Sequence, residues 1–358
     1  MKVCTVVGAR PQFVKAAVVS KEIASRCGVI NEVLIHTGQH FDKNMSDVFF
    51  DELGIKNPAY NLGVGGGSHG QNTGRMLEGL EPIFIKERPD WLVVYGDTDS
   101  TLAASLCASK LNIPIAHVEA GLRSFNKRMP EEINRILTDH LSDLLFAPTA
   151  TARRHLENEG IRQSIIECVG DVMCDASLYY RRIAEAKSSI LTKLRLKKKG
   201  YVLGTIHRVE NTENFSKLDA IIRGWAECIH PIVLPVHPRL RNAFQKSDLS
   251  LPGNVISIEP VGYLDMCVLE ANAVAICTDS GGVQKEAYFY SVPCVTTRSE
   301  TEWTETVELG WNTIVGDDSN LIANLLNDPI SPAAQADLSL YGSGKSCKQI
   351  VDRLLSAI

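Results

Sequence analysis

Cys277-Thr278-Asp279-Ser280-Gly281-Gly282-Val283-Gln284-Lys285-Glu286 is the stretch from which the fold can be read. An apolar strand, residues 273–277, runs into small polar residues and then into a helix. A Ser-Gly-Gly turn leaves backbone N–H groups uncovered at a helix N-terminus, which is a ready site for an anion such as a phosphate. Two adjacent glycines also serve simply to let a strand turn tightly, so the motif alone decides nothing. Its context does: Asp279 precedes the turn, Glu286 lies inside the helix, and polar strand ends of the same kind recur along the chain.

In the second half, the run 201–206 ends in His207-Arg208-Val209-Glu210-Asn211, 231–236 in His237-Pro238-Arg239, and 255–258 in Glu259-Pro260-Val261. A further strand, 293–298, follows. The first half has the same rhythm. Residues 2–7 lead into Gly8-Ala9-Arg10-Pro11, with Pro11 suited to a first helical turn and Arg10 and Lys15 on the helix. Residues 29–36 lead into Thr37-Gly38-Gln39-His40 and a helix near 44–53. A glycine-rich loop is expected over 63–74 and a helix over 71–86. The buried run 91–95 ends in Gly96-Asp97-Thr98, and 114–118 ends in Glu119-Ala120-Gly121.

Glu131 and Glu132 stand in the first turn of a helix that Pro130 opens, where acidic residues also simply complement the helix dipole. Strands near 144–146 and 165–169 close the first half. Repeated strand, loop and helix predict α/β architecture: two Rossmann-like domains facing across a cleft. Domain boundaries are expected at 1–169 and 170–342, with a C-terminal helix, 343–358, packing back on the first. Ligands of such sheets bind beyond the carboxyl ends of the strands, which singles out Asp97 and Glu119. The dinucleotide fingerprint G-x-G-x-x-G is absent, so a nicotinamide or flavin dinucleotide is not indicated.

At 358 residues the chain exceeds one compact core. Its 44% hydrophobic and 22% charged residues are those of an ordinary soluble enzyme. A net charge of −5 gives no global basic field, which argues against nucleic acid. The ten cysteines lack C-x-x-C spacing and read as reduced core residues. Residues 1–8 read as a strand without the apolar core or cleavage site of a signal peptide, and no stretch is long enough to span a membrane; the expectation is a cytoplasmic protein. No pair has helical metal-ligand spacing, so no metal is expected.

Taken together, Gly8-Ala9-Arg10-Pro11, Gln39-His40, Gly96-Asp97-Thr98, His117-Val118-Glu119-Ala120-Gly121-Leu122-Arg123, Pro130-Glu131-Glu132-Ile133-Asn134-Arg135, His207-Arg208 and Thr278-Asp279-Ser280-Gly281-Gly282 resemble the non-hydrolysing UDP-N-acetylglucosamine 2-epimerases over nearly the whole chain. The resemblance implies a glycosyltransferase-B-like fold, a UDP-sugar substrate, no cofactor and a homodimer. It implies catalytic roles for Asp97, Glu119, Glu131 and His207, and UDP contacts from Arg10, Lys15, Ser280, Gly281, Gly282 and Glu286. It also matches Gln39, Arg75, Arg208 and His237 to a second, activating nucleotide-sugar site found in some members.

The chemistry asks for carboxylates. The hydrogen on C2 of a 2-acetamido sugar is not adjacent to a carbonyl carbon, so simple enolisation cannot remove it. Departure of UDP from C1 places positive charge on the ring and acidifies that hydrogen. A carboxylate then takes it, and re-addition of UDP follows protonation of the 2-acetamidoglucal from the other face. Two proton-handling groups are required, and Asp97, Glu119 and Glu131 are the candidates.

Two departures stand out. Glu302-Trp303-Thr304-Glu305 replaces a Glu-Arg-Pro-Glu segment common in the family, and Asp42 stands where some members have a second glutamine. The Ala-Arg-Pro-Gln and His-Thr-Gly-Gln-His variants look more like the branch acting on UDP-2,3-diacetamido-2,3-dideoxyglucuronate. A retaining glycosyltransferase would share the fold but use an acceptor pocket instead of paired proton-transfer groups. A non-catalytic nucleotide-sugar sensor is disfavoured, because carboxylates gathered near a diphosphate are costly without a task.

Overall fold

The computed structural model describes residues 1–26, 28–39, 52–330, 332, 335–342 and 344–357. The expected helix near 44–53, except its last two residues, and the positions of His40 and Asp42 lie outside these. Among the described residues, the chain divides into two compact units: Met1–Ala176 with Leu338–Ile358, and Ser177–Asp337.

In the first unit, β1 (Lys2–Val7), β2 (Asn31–His36), β3 (Tyr60–Asn61), β4 (Trp91–Tyr95), β5 (Ile115–Val118), β6 (Leu144–Ala147) and β7 (Ile166–Cys168) form one sheet in the order β3-β2-β1-β4-β5-β6-β7. Every pairing is parallel. A parallel sheet is covered on both faces, which is why β4, Trp-Leu-Val-Val-Tyr, is buried at every position. One face packs under the helices His69–Glu87 and Asp99–Lys110. Ala103, Ala104 and Ala108 let the second of these lie close to Met76, Leu80 and Phe84 of the first. The C-terminal helix Ser346–Ser356 belongs to this unit and packs on the helix Arg10–Ser25.

The glycine-rich loop expected over 63–74 ends sooner than its composition implies. Ser68 caps the helix by accepting from the Gln71 amide at 3.4 Å, while Gln71 Oε1 accepts from the Ser68 amide at 3.2 Å. This reciprocal cap draws Gly70 and Gly74 into the helix against their low propensity.

The second unit repeats the plan with β8 (Val202–Thr205), β9 (Ile232–Pro235), β10 (Val255–Ile258), β11 (Ala275–Thr278), β12 (Cys294–Thr296) and β13 (Asn312–Ile314) in the order β10-β9-β8-β11-β12-β13, all parallel. Its core gathers around Trp225, whose indole N–H donates to Cys277 Sγ at 3.3 Å. In both sheets the strand order reverses direction once, between β1 and β4 and between β8 and β11. Connections leave such a pair to opposite sides, and the gap at their carboxyl ends is where an open sheet binds ligands.

Candidate active site

In the first unit the chain leaves β4 through Gly96, at φ +61°, and leaves β5 through Glu119, at φ +75°. The Gly96 amide donates to Val118 O at 3.0 Å, which holds the two strand ends side by side. A β-carbon on Gly96 would lie 3.1 Å from Glu119 Oε2, so a residue with a side chain crowds the carboxylate there. Glu119 itself holds a left-handed backbone that a non-glycine residue rarely adopts, at a cost of about 1–2 kcal/mol. Such strain collects at ligand sites. Its carboxylate is buried and paired with the equally buried Lys15, which the helix Arg10–Ser25 presents. Gln12 of that helix joins the ends of β1 and β4: it accepts from the Gly8 and Ala9 amides and donates to Tyr95 O at 2.8 Å.

Asp97 follows directly. Its Oδ2 accepts from both Nε and Nη2 of Arg135, the former at 3.1 Å, and its carbonyl accepts from Asn134 Nδ2 at 2.9 Å. Both donors come from the helix Pro130–Leu141. The same Arg135 donates to Glu132 at 2.9 Å, and Glu132 also accepts from the Ser124 and Phe125 amides. Glu132 is thus committed to holding the loop before its helix. Glu131, one residue earlier, is exposed, and its carboxylate has no hydrogen-bond partner among the described residues. The structure therefore separates two glutamates that the helix-dipole argument treats alike.

Beneath Asp97 runs a buried line of charge. His117 contacts Gly96 O through Nε2 and Asp139 through Nδ1, both at 2.7 Å. Asp139 accepts from Arg123 at 2.7 Å, and Arg123 forks onto Glu159. Burial alone would push the Asp139 carboxyl up, but His117 and Arg123 outweigh it and hold the group below its usual range. Removing one member of such a network typically costs about 3–5 kcal/mol.

In the second unit the opening stretch folds as expected. The helix Gly281–Phe289 follows β11 directly, and Ser280 caps it by accepting from the Val283 amide. The amides of Gly281 and Gly282 have no partner among the described residues. Asp279 is fully buried and organises the neighbouring strand end: it accepts from the His207 amide at 3.1 Å, the Arg208 amide at 3.0 Å and Asn211 Nδ2 at 3.1 Å, and pairs with His207 Nδ1 at 3.0 Å. Burial opposes its ionisation, yet His207 and these donors hold its carboxyl below the usual range.

A carboxyl depressed in the folded state adds stability above its unfolded value, 3.8, and loses it as pH falls through the folded value. Asp279→Asn should therefore cost about 2–4 kcal/mol at neutral pH, because an amide cannot accept from all these donors. Urea melts are expected to show the wild-type advantage shrinking below about pH 4; a gap that persists undiminished at pH 2 contradicts this account.

Glu286 is buried and accepts from Tyr263 at 3.0 Å. Arg10 opens its helix half-buried. Of the residues matched to a second nucleotide-sugar site, Gln39 accepts from the Ser100 amide and hydroxyl, while Arg75 bonds Gln71 and Asn72 of its own helix. No hydrogen bond joins Gln39 to Arg75 among the described residues. Arg208 donates through Nε to Asp279 O at 3.0 Å, and the His237 ring lies 5.7 Å from that of His207.

Sequence reasoning did not single out Arg135, Asn134, Asp139 or Asn211. The first two lie inside the quoted run 130–135, and their register with Glu131 was the available signal. Among the described residues no group of three or more His, Cys, Asp or Glu side chains is placed to hold a metal, and no helix is long and apolar enough to cross a membrane.

The family model described as UDP-N-acetylglucosamine 2-epimerase matches residues 22–355. A Methanococcus maripaludis protein named UDP-N-acetylglucosamine 2-epimerase homolog is 52% identical, covering 99% of each chain. The UDP-2,3-diacetamido-2,3-dideoxy-D-glucuronate 2-epimerase of Pseudomonas aeruginosa is 47% identical, again over 99% of each. The crystal structure of Methanocaldococcus jannaschii UDP-GlcNAc 2-epimerase with UDP-GlcNAc and UDP superposes with a TM-score of 0.90 at 42% identity, covering 100% of both chains.

Proposed function

This chain belongs to the UDP-N-acetylglucosamine 2-epimerase family, and from that premise we propose that it inverts C2 of a UDP-2-acetamido sugar by eliminating UDP and adding it back. It is an isomerase of the nucleotide-sugar 2-epimerase type. The observation that carries the mechanism is the placement of Asp97 and Glu119 at adjoining strand ends, with a glycine between them and a cation against each.

The amides of Gly281 and Gly282 and the Ser280 hydroxyl take the diphosphate, stabilising the charge that grows on it as the C1–O bond breaks. Arg10 and His207 offset that charge, Lys15 and Glu286 complete the nucleotide contacts, and Glu286 takes the ribose hydroxyls. Asp97, Glu119 and Glu131 supply the proton acceptor on one face of C2 and the proton donor on the other. Asp97 is part-exposed and Glu131 exposed, so both carboxylates are reachable, whereas Glu132 is occupied by its loop. The activating site of Gln39, Arg75, Arg208 and His237 remains part of the reading, as does a cytoplasmic location. A homodimer belongs to it as well, supported by Ile133 and Leu137, which the helix Pro130–Leu141 leaves exposed; sedimentation equilibrium reads that state directly.

The favoured substrate is UDP-N-acetylglucosamine, giving UDP-N-acetylmannosamine for surface polysaccharide. A second reading, UDP-2,3-diacetamido-2,3-dideoxyglucuronate, is supported by the 47% identical relative with that activity in its name. Offering each compound separately and following C2 by proton NMR tests both. Epimerisation of the first is expected; turnover of the uronate alone would transfer the assignment to the second reading, and turnover of neither would defeat both.

A further inference from the structure

Trp303, 4% exposed, precedes the short helix Thr304–Glu308. Its amide donates to Thr301 Oγ1 at 3.2 Å, but its indole Nε1–H has no hydrogen-bond partner among the described residues. The ring is buried while this nitrogen keeps some access to solvent, which leaves it a donor open to a ligand. The indole nitrogen is aimed at the helix Gly281–Phe289: a β-carbon built on Gly281 would lie 3.5 Å from it.

Other donors gather at the same place. The Gly281 and Gly282 amides are open, and Arg298 Nη1 lies 4.0 Å from that same β-carbon position. Two carboxylates stand beside them: Glu302 Oε1 is 3.7 Å from this point, Glu302 Oε2 accepts from Arg298 at 2.8 Å and Arg208 stands 3.8 Å from Oε1, while Asp279 is taken up by the His207 and Arg208 amides and the His207 ring. Lys285, 1% exposed, places its Nζ 4.0 Å from the centroid of the indole ring. A cation over the π face fixes the ring and draws electron density from it, which makes the N–H a better donor. Three cations against two carboxylates, both already paired, with amide and indole donors that cannot accept, call for a ligand group that only accepts and carries negative charge. A phosphate meets that description; a sugar hydroxyl, which also donates, does not.

We propose that Trp303 is a nucleotide-binding residue whose indole N–H donates to an oxygen of the diphosphate received by the Gly281 and Gly282 amides, with Lys285 holding the ring from behind. This rests on the nucleotide reading above. It gives a function to the position where the Glu-Arg-Pro-Glu pattern of the family is broken: an arginine is absent, and a neutral donor backed by a buried lysine stands in its place.

The test is calorimetric titration of wild type and Trp303→Phe with UDP and, separately, with uridine. Phenylalanine keeps an aromatic ring for Lys285 to pack on and removes the N–H together with part of the indole; the uridine arm reads the loss of packing separately from the loss of the bond to the diphosphate. UDP affinity should fall about tenfold, as expected for a lost bond to a charged acceptor, with uridine affinity unchanged. Equal UDP affinity in the two proteins overturns the assignment, as does an equal loss for UDP and uridine. Should the variant fail to fold, the indole N–H resonance of Trp303 in wild type decides: it must move downfield on adding UDP, and a resonance that stays put overturns the proposal. Wild type that does not bind UDP at all overturns the nucleotide reading itself, and this one with it.

Discussion

Replacing Asp97 by Asn, Glu119 by Gln or Glu131 by Gln is expected to lower turnover by about 100- to 10,000-fold while leaving UDP affinity close to wild type, because general acid–base groups act on the transition state and not on the bound nucleotide. The three variants should differ in stability, which guards against mistaking unfolding for lost chemistry. Glu131 is exposed in the first turn of its helix, so its amide should cost only the helix-dipole contribution, about 0.3–1 kcal/mol. Asp97→Asn removes a charge from Arg135, which keeps Glu132 at 2.9 Å. Glu119→Gln strands Lys15 in a buried site and should cost most, about 3–5 kcal/mol. Kinetics measured well below each melting point separate the effects. Retention of more than about half the wild-type rate at all three positions would remove the carboxylates from the mechanism.

The fold was legible where burial was complete. Trp91–Tyr95, buried at every position, read as a strand residue for residue, because a strand inside a parallel sheet needs an unbroken apolar run. The edge strands Tyr60–Asn61 and Asn312–Ile314 did not, since two or three mixed residues carry no periodicity. The start of the helix at His69 was written in Ser68 and Gln71 as a capping box, but the glycines around it suggested a loop.

The site was legible in half its parts. Strand-end residues such as Asp97, Glu119 and Ser280 stand out because topology brings every strand's carboxyl end to one edge of its sheet. Their partners do not, because contact across the fold leaves no local trace: Lys15 is 104 residues from Glu119, and Arg135 is 38 from Asp97. The helix Pro130–Leu141 also inverts the usual pattern. Its buried face is Glu132, Arg135 and Asp139, while Ile133 and Leu137 are exposed, so an amphipathic reading would have turned the helix the wrong way. Only the charge network beneath Asp97, with its hydrogen bonds in place, makes that orientation intelligible.

The central claim is that C2 is inverted by removing and returning a proton after UDP departs. A proton taken by a carboxylate exchanges with solvent before it returns. Epimerisation run to partial conversion in heavy water, with the product's C2 position read by proton NMR and mass spectrometry, measures this without altering a residue. Product carrying deuterium at C2 is the predicted result; product that keeps its original hydrogen at C2 in full would contradict the account and point instead to transient oxidation with internal hydride return.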